Sequence, residues 1–343
     1  MRLMPAFLSG IRINHCLKHL RRPRIAGGLL GLTLGFGGGA CGPAELAGDT
    51  WTLCESHGSA ESGNGLSTNG LSTNGLSTNG LSINGLSTHG LSTTGFSNWF
   101  NQDPARADEI MRYIIRCAAK GNQQRKYTNP VTGVKYTWEG GLGLAHNWAT
   151  GAPATVQEEE IVSACLAAHA NKFGIPVAIS VLGRNARGAA LSYTEQELST
   201  FSEREACFFG NLFDGTGVFA ATDRGYLRED ESSVRACGLP SNPAQADCLP
   251  IIHAGTCESL CQRAATEALP FDRDADKKNP PTHGEPPYYE TCTYNGRTFQ
   301  PLTTRLQPQD IHHCGDGVCQ FTERCGDGVA AGSCQADCGP CPY

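Results

Sequence analysis

The sequence predicts an α+β fold: one disulfide-rich globular domain, preceded by a low-complexity repeat and followed by a small cysteine-rich module. Three observations carry this. Helix and strand signals are mixed without a regular strand–helix–strand alternation. The 343 residues include 17 cysteines, a density that reads as disulfides in an exported chain and as metal ligands in the cytosol. The composition also changes abruptly near residues 97 and 309.

Residues 1–40 carry Arg2, Arg12, Lys18, Arg21, Arg22 and Arg24 and no acid, and they end in the run IAGGLLGLTLGFGGGA. A basic stretch, a short apolar run and small residues form the layout of an export signal. The run is glycine-rich and shorter than the ~20 apolar residues of a membrane span. The whole chain has 27 Lys+Arg against 33 Asp+Glu, so loss of those six cations leaves 21 against 33, a net of −12. A surface that acidic argues against nucleic acid as a partner.

Export decides the cysteine chemistry. Cys16 falls in the signal and sixteen others remain. Gly38-Gly39-Ala40-Cys41 resembles the lipobox of bacterial lipoproteins, which implies that Cys41 becomes an acylated N-terminus and the site of lipidation. Ala40 fits that pattern, whereas Gly38 stands where the family usually has Leu. The rival assignment pairs Cys41 with Cys54 and leaves no odd thiol. The other disulfide candidates are Cys117, Cys165, Cys207, Cys237, Cys248, Cys257, Cys261, Cys292, Cys314, Cys319, Cys325, Cys334, Cys338 and Cys341.

Residues 41–63 are polar and irregular. Residues 64–96 repeat every five, with Leu66, Leu71, Leu76, Leu81, Leu86, Leu91 and Phe96 in register. Five-residue spacing drifts ~140° around a continuous helix, and an odd period puts successive leucines on opposite faces of a strand. The stretch also resembles the pentapeptide-repeat β-solenoid, although seven copies are few for a stacked core. A spacer is the leading expectation, with docking of the leucines as the alternative.

Residues 97–308 read as the α+β domain. Asp103-Pro104 supplies an N-cap and a first-turn proline, and Ile110, Met111, Ile114, Ile115 and Ala118 follow at helical spacing. RKYT and VKYTWEG flank NPVTG as a hairpin. Thr155-x-x-Glu158 is a capping box opening a helix that carries Ile161, Val162, Cys165, Leu166, Ala168 and His169 and should stop at Gly174. VAISVLG and ACFFGNLF read as buried strands, and DESSVRACG as a short helix closing at Gly238. Asn295-Gly296 between TCTY and RTFQ is a type I′ hairpin signal.

The module at 309–343 packs six cysteines into the 28 residues 314–341 with almost no aliphatic core, so three disulfides have to hold its shape. CGDGVCQFTERCGDG and CQADCGPC resemble the short CGDGxC…DCGxC modules of secreted and surface bacterial proteins. With the NGLST repeat and the signal, the chain resembles uncharacterised envelope lipoproteins of gliding, predatory soil bacteria. That resemblance implies a location and brings no activity with it.

Candidate chemistry is sparse. His312, His313 and the Cys338-x-x-Cys341 pair fall short of two zinc-ligand pairs. Asp316, Asp327 and Asp337 offer oxygens for calcium. Asp272, Asp274 and Asp276 begin like a calcium loop, but Lys277 and His283 stand where Gly and Glu belong. Cys257 and Cys261, one helical turn apart near His253, read as two structural half-disulfides. Cys165 and His169 sit at i,i+4 without a protease signature. Glu158, Glu159, Glu160, Glu203, Glu205 and Asp214 are available carboxylates, but two of them must face one another across a cleft to cleave a glycan. The hydrolase, zincin and phosphate-loop motifs are missing.

The expectation is therefore an extracytoplasmic structural or binding (lipo)protein of the outer membrane or cell surface, alternatively secreted. It meets the membrane through its N-terminal lipid and takes an envelope protein or surface glycan as partner. No catalytic residue, cofactor or metal is assigned, and an aromatic patch near Trp99, Trp138 and Trp148 is the place to look for binding. The alternative is a secreted or anchored hydrolase acting on cell-wall or glycan material.

Overall fold

A computed structural model of the chain describes residues 61–64, 66–67, 81–241, 248–263, 287–326 and 333–341, all within the compact unit Glu55–Tyr343. It confirms an α+β fold, held among the described residues by seven disulfides. Cys41, Cys54 and the Asp272–Asp276 loop lie outside the described residues.

Two short strands come first, β1 (Glu61–Asn64) and β2 (Leu66–Ser67). Three short helices follow, α1 (Leu81–Asn84), α2 (Thr88–Leu91) and α3 (Thr94–Phe100). They correct the spacer expectation over 81–96. Leu81, Leu86 and Phe96 are fully buried and Leu91 is 1% exposed. No continuous helix forms. The three short helices are separated by breaks, with Leu81, Leu91 and Phe96 on the helices and Leu86 in the first break, and all four side chains enter one core. Gly85 makes one such break at φ 71, where a Cβ would collide with the Gly151 backbone. Ser87 and Thr93 cap the next two turns, accepting from the amides of Gly90 and Phe96. The repeat's backbone is also fastened: Trp148 Nε1 donates to the Leu81 carbonyl at 2.8 Å, Leu86 N donates to the Trp148 carbonyl at 2.9 Å, and Arg125 Nε donates to the Leu86 carbonyl at 2.7 Å.

Next come α4 (Pro104–Ala118), the hairpin β3–β4 (Gln124–Thr128, Lys135–Glu139), α5 (His146–Ala149) and α6 (Val156–His169). Both expected N-caps are present: Asp103 accepts from Arg106 N at 3.1 Å, and the Thr155–Glu158 capping box is reciprocal. Eleven α6 residues are buried, as expected of a helix covered all round. It lies against the sheet on one side and α4 on the other, where Cys117–Cys165 links the two helices.

The remaining elements are β5 (Ala170–Asn171), β6 (Val177–Gly183), α7 (Glu195–Thr200), β7 (Glu203–Asn211), β8 (Gly217–Thr222), β9 (Glu231–Ser232) and β10 (Ile251–Thr256). They continue through α8 (Cys257–Leu260), β11 (Cys261–Gln262), β12 (Thr291–Tyr294), β13 (Arg297–Phe299), β14 (Leu302–Leu306), β15 (His312–His313) and α9 (Gln335–Cys338). The main sheet runs β1-β6-β14-β7-β8-β10, with β10 parallel to β8 and the other pairs antiparallel. Alternation along its central strands assigns its two faces. Ala206, Phe208, Val218 and Ala220 join the large core under α6, while Cys207, Phe209, Phe219 and Ala221 join a second core beneath the β11-β12-β13 sheet. Covering both faces is why β7 reads as a continuous apolar run. Asn295 (φ 52) and Gly296 (φ 75) form the left-handed turn between β12 and β13.

One local expectation fails. DESSVRACG forms β9 followed by turns because Arg235 is drawn inward. Its Nε donates to Glu205 Oε1 at 2.7 Å, and its terminal nitrogens donate to the carbonyls of Ala168 and Ala170, each at 2.9 Å, where α6 ends. Among the described residues no helix is long and apolar enough to cross a membrane.

Two outcomes follow. Leu86→Ala and Leu91→Ala should each lower unfolding free energy by about 2–5 kcal/mol, as buried leucine truncations do; unchanged urea midpoints would restore the spacer reading. Arg235→Met strands Glu205 in the core and should cost about 3–5 kcal/mol, read by the same titration.

Candidate functional site

The acidic start of α6 points three ways. Glu158 serves the capping box and accepts from Asn147 N at 2.7 Å. Glu159 accepts from Asn211 Nδ2 at 3.1 Å. Glu160 meets Arg297, whose NH2 lies 3.1 Å from Oε1, while NH1 lies 2.8 Å from Asp214 Oδ2 in the β7–β8 turn. Arg297 also donates to Thr216 Oγ1 at 2.7 Å. Of the carboxylates anticipated from sequence, Glu160 and Asp214 are thus brought to one guanidinium. Burial pushes the Glu160 carboxyl up against the pull of Arg297. For Asp214 burial acts in the same direction, but hydrogen bonds from Thr216 and Arg297 outweigh it and the carboxyl ends below its ordinary value. Opposed shifts in neighbouring acids are the pattern of an acid–base pair. Here Arg297 bridges the two acids, and the three side chains fasten the β12–β13 hairpin to α6 and the β7–β8 turn.

The other carboxylates are also engaged. Glu203 pairs with Arg224 at 3.1 Å, and Glu205 pairs with Arg235. Cys165 is disulfide-bonded, so it offers no thiolate to His169. The imidazole is fully buried, which pushes its pKa down to about 3, and its Nδ1 lies 2.8 Å from the Cys165 carbonyl. Cys257 and Cys261 reach different partners, Cys207 and Cys292. Cys237 pairs with Cys248. His253 lies against the Tyr226 ring at 5.8 Å.

In the tail the disulfides are Cys314–Cys334, Cys319–Cys338 and Cys325–Cys341. The structure explains the CGDG and DC motifs. Asp337 accepts from Gly315 N at 2.6 Å and Gly317 N at 2.9 Å, so the second motif's acid holds the first motif's loop. Asp316 accepts from Val318 N at 2.9 Å and Gln320 Nε2 at 2.6 Å. Both calcium candidates therefore have loop-holding roles, and Asp327 lies outside the described residues. Among those residues, atoms of metal-ligating type cluster at Cys117/Cys165/His169, Cys207/Cys261/Cys292 and Cys314/Cys334/Asp337. Each cluster contains sulfurs already in disulfides, whereas a metal takes thiolate.

The tail is stitched to the domain. β15 pairs with β9, Cys314 N donates to the Asp230 carbonyl at 2.8 Å, and the Ser232 and Thr322 hydroxyls are 2.7 Å apart. Glu231 anchors this seam with a bidentate pair to Arg224 at 2.9 and 3.0 Å, and those bonds hold its carboxyl down at about 2.

The expected aromatic patch is absent where sequence placed it: Trp99, Trp138 and Trp148 are all buried. Among the described residues an exposed aromatic pair forms instead between Phe173 on the domain and Phe321 on the tail, edge to face at 5.2 Å, with Val318 also exposed. A lone Phe in a cysteine-rich loop without aliphatic core was the available signal.

Residues 65–97 match the GLTT repeat family in six copies. Comparisons with curated proteins and with solved structures yield no match.

Acid should loosen the β9–β15 seam. The Glu231 carboxyl lies at about 2 in the fold against an ordinary 4.5. Its stabilisation is therefore complete above the ordinary value and lost as pH falls toward the folded one. Glu231→Gln should be less stable near neutrality, with a shallower fall in urea midpoint between those pH values. An unaltered slope would remove Glu231 from the acid response.

Proposed function

We propose that the chain is an extracytoplasmic structural or binding protein, exported through residues 1–40 and held at the outer membrane or cell surface by a lipid on Cys41. The carrying observation is covalent: all fourteen cysteines among the described residues pair as seven disulfides. Such a set forms and persists in an oxidising compartment. The acids that a hydrolase would draw on are spent on caps and ion pairs. The surface we assign to a partner, an envelope glycan or envelope protein, is the rigidly mounted Phe173–Phe321 pair with Val318. Exposed apolar side chains on a stapled loop lose little conformational freedom on binding.

A second reading, a hydrolase of cell-wall or glycan material, has one observation in its favour, the opposed shifts of Glu160 and Asp214. Arg297 between them argues for a staple.

Native protein from membranes should show, by intact mass with and without reduction, loss of residues 1–40, a diacyl or triacyl increment on Cys41 and at least seven disulfides. Retention of residues 1–40, or free thiols throughout, would overturn export. On a Cys41→Ser background, which carries no lipid, Phe173→Ala/Phe321→Ala should abolish retention on isolated envelopes with thermal stability within a few degrees of the parent, and retention equal to that of Cys41→Ser alone would remove that surface. Glycan cleavage lost in Glu160→Gln would replace the binding reading by the second.

A further inference from the structure

Two disulfides on the far face of the sheet share one pocket of sulfur. Cys207 in β7 is bonded to Cys257, the first residue of α8, and Cys261, which follows α8, is bonded to Cys292 in β12. The Sγ atoms of Cys207, Cys261 and Cys292 lie within 4.8 Å of one another. Since Cys257 is bonded to Cys207, the four sulfurs form a single cluster, packed with Phe209, Phe219, Tyr289 and Phe299. Three of the cysteines are 0% exposed, and Cys261, at 8%, is the least buried of the four.

We propose that Cys207, Cys257, Cys261 and Cys292 form a thiol–disulfide exchange site for a small-molecule thiol, with two pairings of equal oxidation state. The incoming thiolate attacks Cys261 Sγ. The Cys261–Cys292 bond breaks, Cys261 carries a mixed disulfide, and Cys292 leaves as thiolate. Cys292 attacks Cys207 Sγ, forming Cys207–Cys292 and expelling Cys257 as thiolate. Cys257 attacks Cys261 one helical turn away, closing Cys257–Cys261 and returning the small thiolate. One thiolate enters and one leaves, so nothing is oxidised or reduced overall. Residues four apart on a helix stand ~6 Å apart, within the ~4.4–6.8 Å between Cα atoms that a disulfide spans.

The two pairings differ in what they hold. In the pairing seen here Cys257 bonds α8 to β7, and Cys261, just past α8 at the start of β11, is bonded to β12. After exchange β7 is bonded directly to β12, and α8 keeps only a bond to the first residue of β11, one turn on. The site therefore sets whether α8 and the chain after it are covalently anchored.

The test treats the native full chain with reduced glutathione, quenches in acid, alkylates free thiols, cleaves after Glu258 and maps the cross-links by mass. Expected are Cys207–Cys292 and Cys257–Cys261 links in equal amounts, with the free thiol content of these four cysteines unchanged. Parental links alone at every glutathione concentration, or parental links lost with a matching gain of free thiols, would overturn the site. Cys257→Ala/Cys261→Ala, refolded in air, should form Cys207–Cys292, and two free thiols in the folded variant would overturn it as well. Should that variant not fold, the wild-type map decides.

Discussion

Arg235 is the constraint on which the arrangement of the core depends. Its guanidinium is 1% exposed and its partner Glu205 0%. Removing such charges from water costs several kcal/mol per ion, so each must be met on several sides. Three contacts do this for the guanidinium: a carboxylate on β7 and two carbonyls at the end of α6. A cation is also what a helix C-terminus favours. The pair therefore fixes where α6 stops relative to the central strand, and the Phe208 ring beneath the guanidinium, 5.7 Å away, fills the remaining side. From α6 the order propagates outward, to α4 through Cys117–Cys165 and to the β12–β13 hairpin through Glu160 and Arg297.

The repeat depends on that platform. Leucines at five-residue spacing are useless to a continuous helix or strand, and the chain uses neither over 81–96. Three short helices alternate with breaks, and Leu86 sits in a break rather than on a helix. The breaks put Leu81, Leu86, Leu91 and Phe96 into the same core as Trp148 and Ile161. Single turns are unstable alone because nucleation is costly. Arg125 compensates from outside, donating to the carbonyls of Leu86, Gln124 and Ala149, so one side chain ties the repeat to the hairpin and to α5.

What was legible in the sequence was local. Asp103, the Thr155–Glu158 box and Asn295-Gly296 act within four residues, and each does what its spacing says. The strands VAISVLG and ACFFGNLF were legible because both faces are covered. What stayed hidden was set at a distance. DESSVRACG has a helix's composition, but Arg235 answers to Glu205, thirty residues away. The three tryptophans carry a surface signal only until the elements that cover them are known. Disulfide partners are separated by 11 to 50 residues, and no spacing rule chooses among them. Of the carboxylates, sequence supplied the candidates and only the fold showed which two share Arg297.

β1 alters how far a tether can let the domain travel. Glu61 to Asn64 is paired to β6 from Ser180 to Val177, so the chain is already fixed to the sheet at Glu61, well before Phe96. Between a lipid on Cys41 and that first paired residue lie twenty peptide steps, at most ~70 Å of fully extended chain. A free run to Phe96 would allow nearly three times that reach. Under the lipidated reading the domain works within a short radius of its own membrane, and whatever it meets has to come to it.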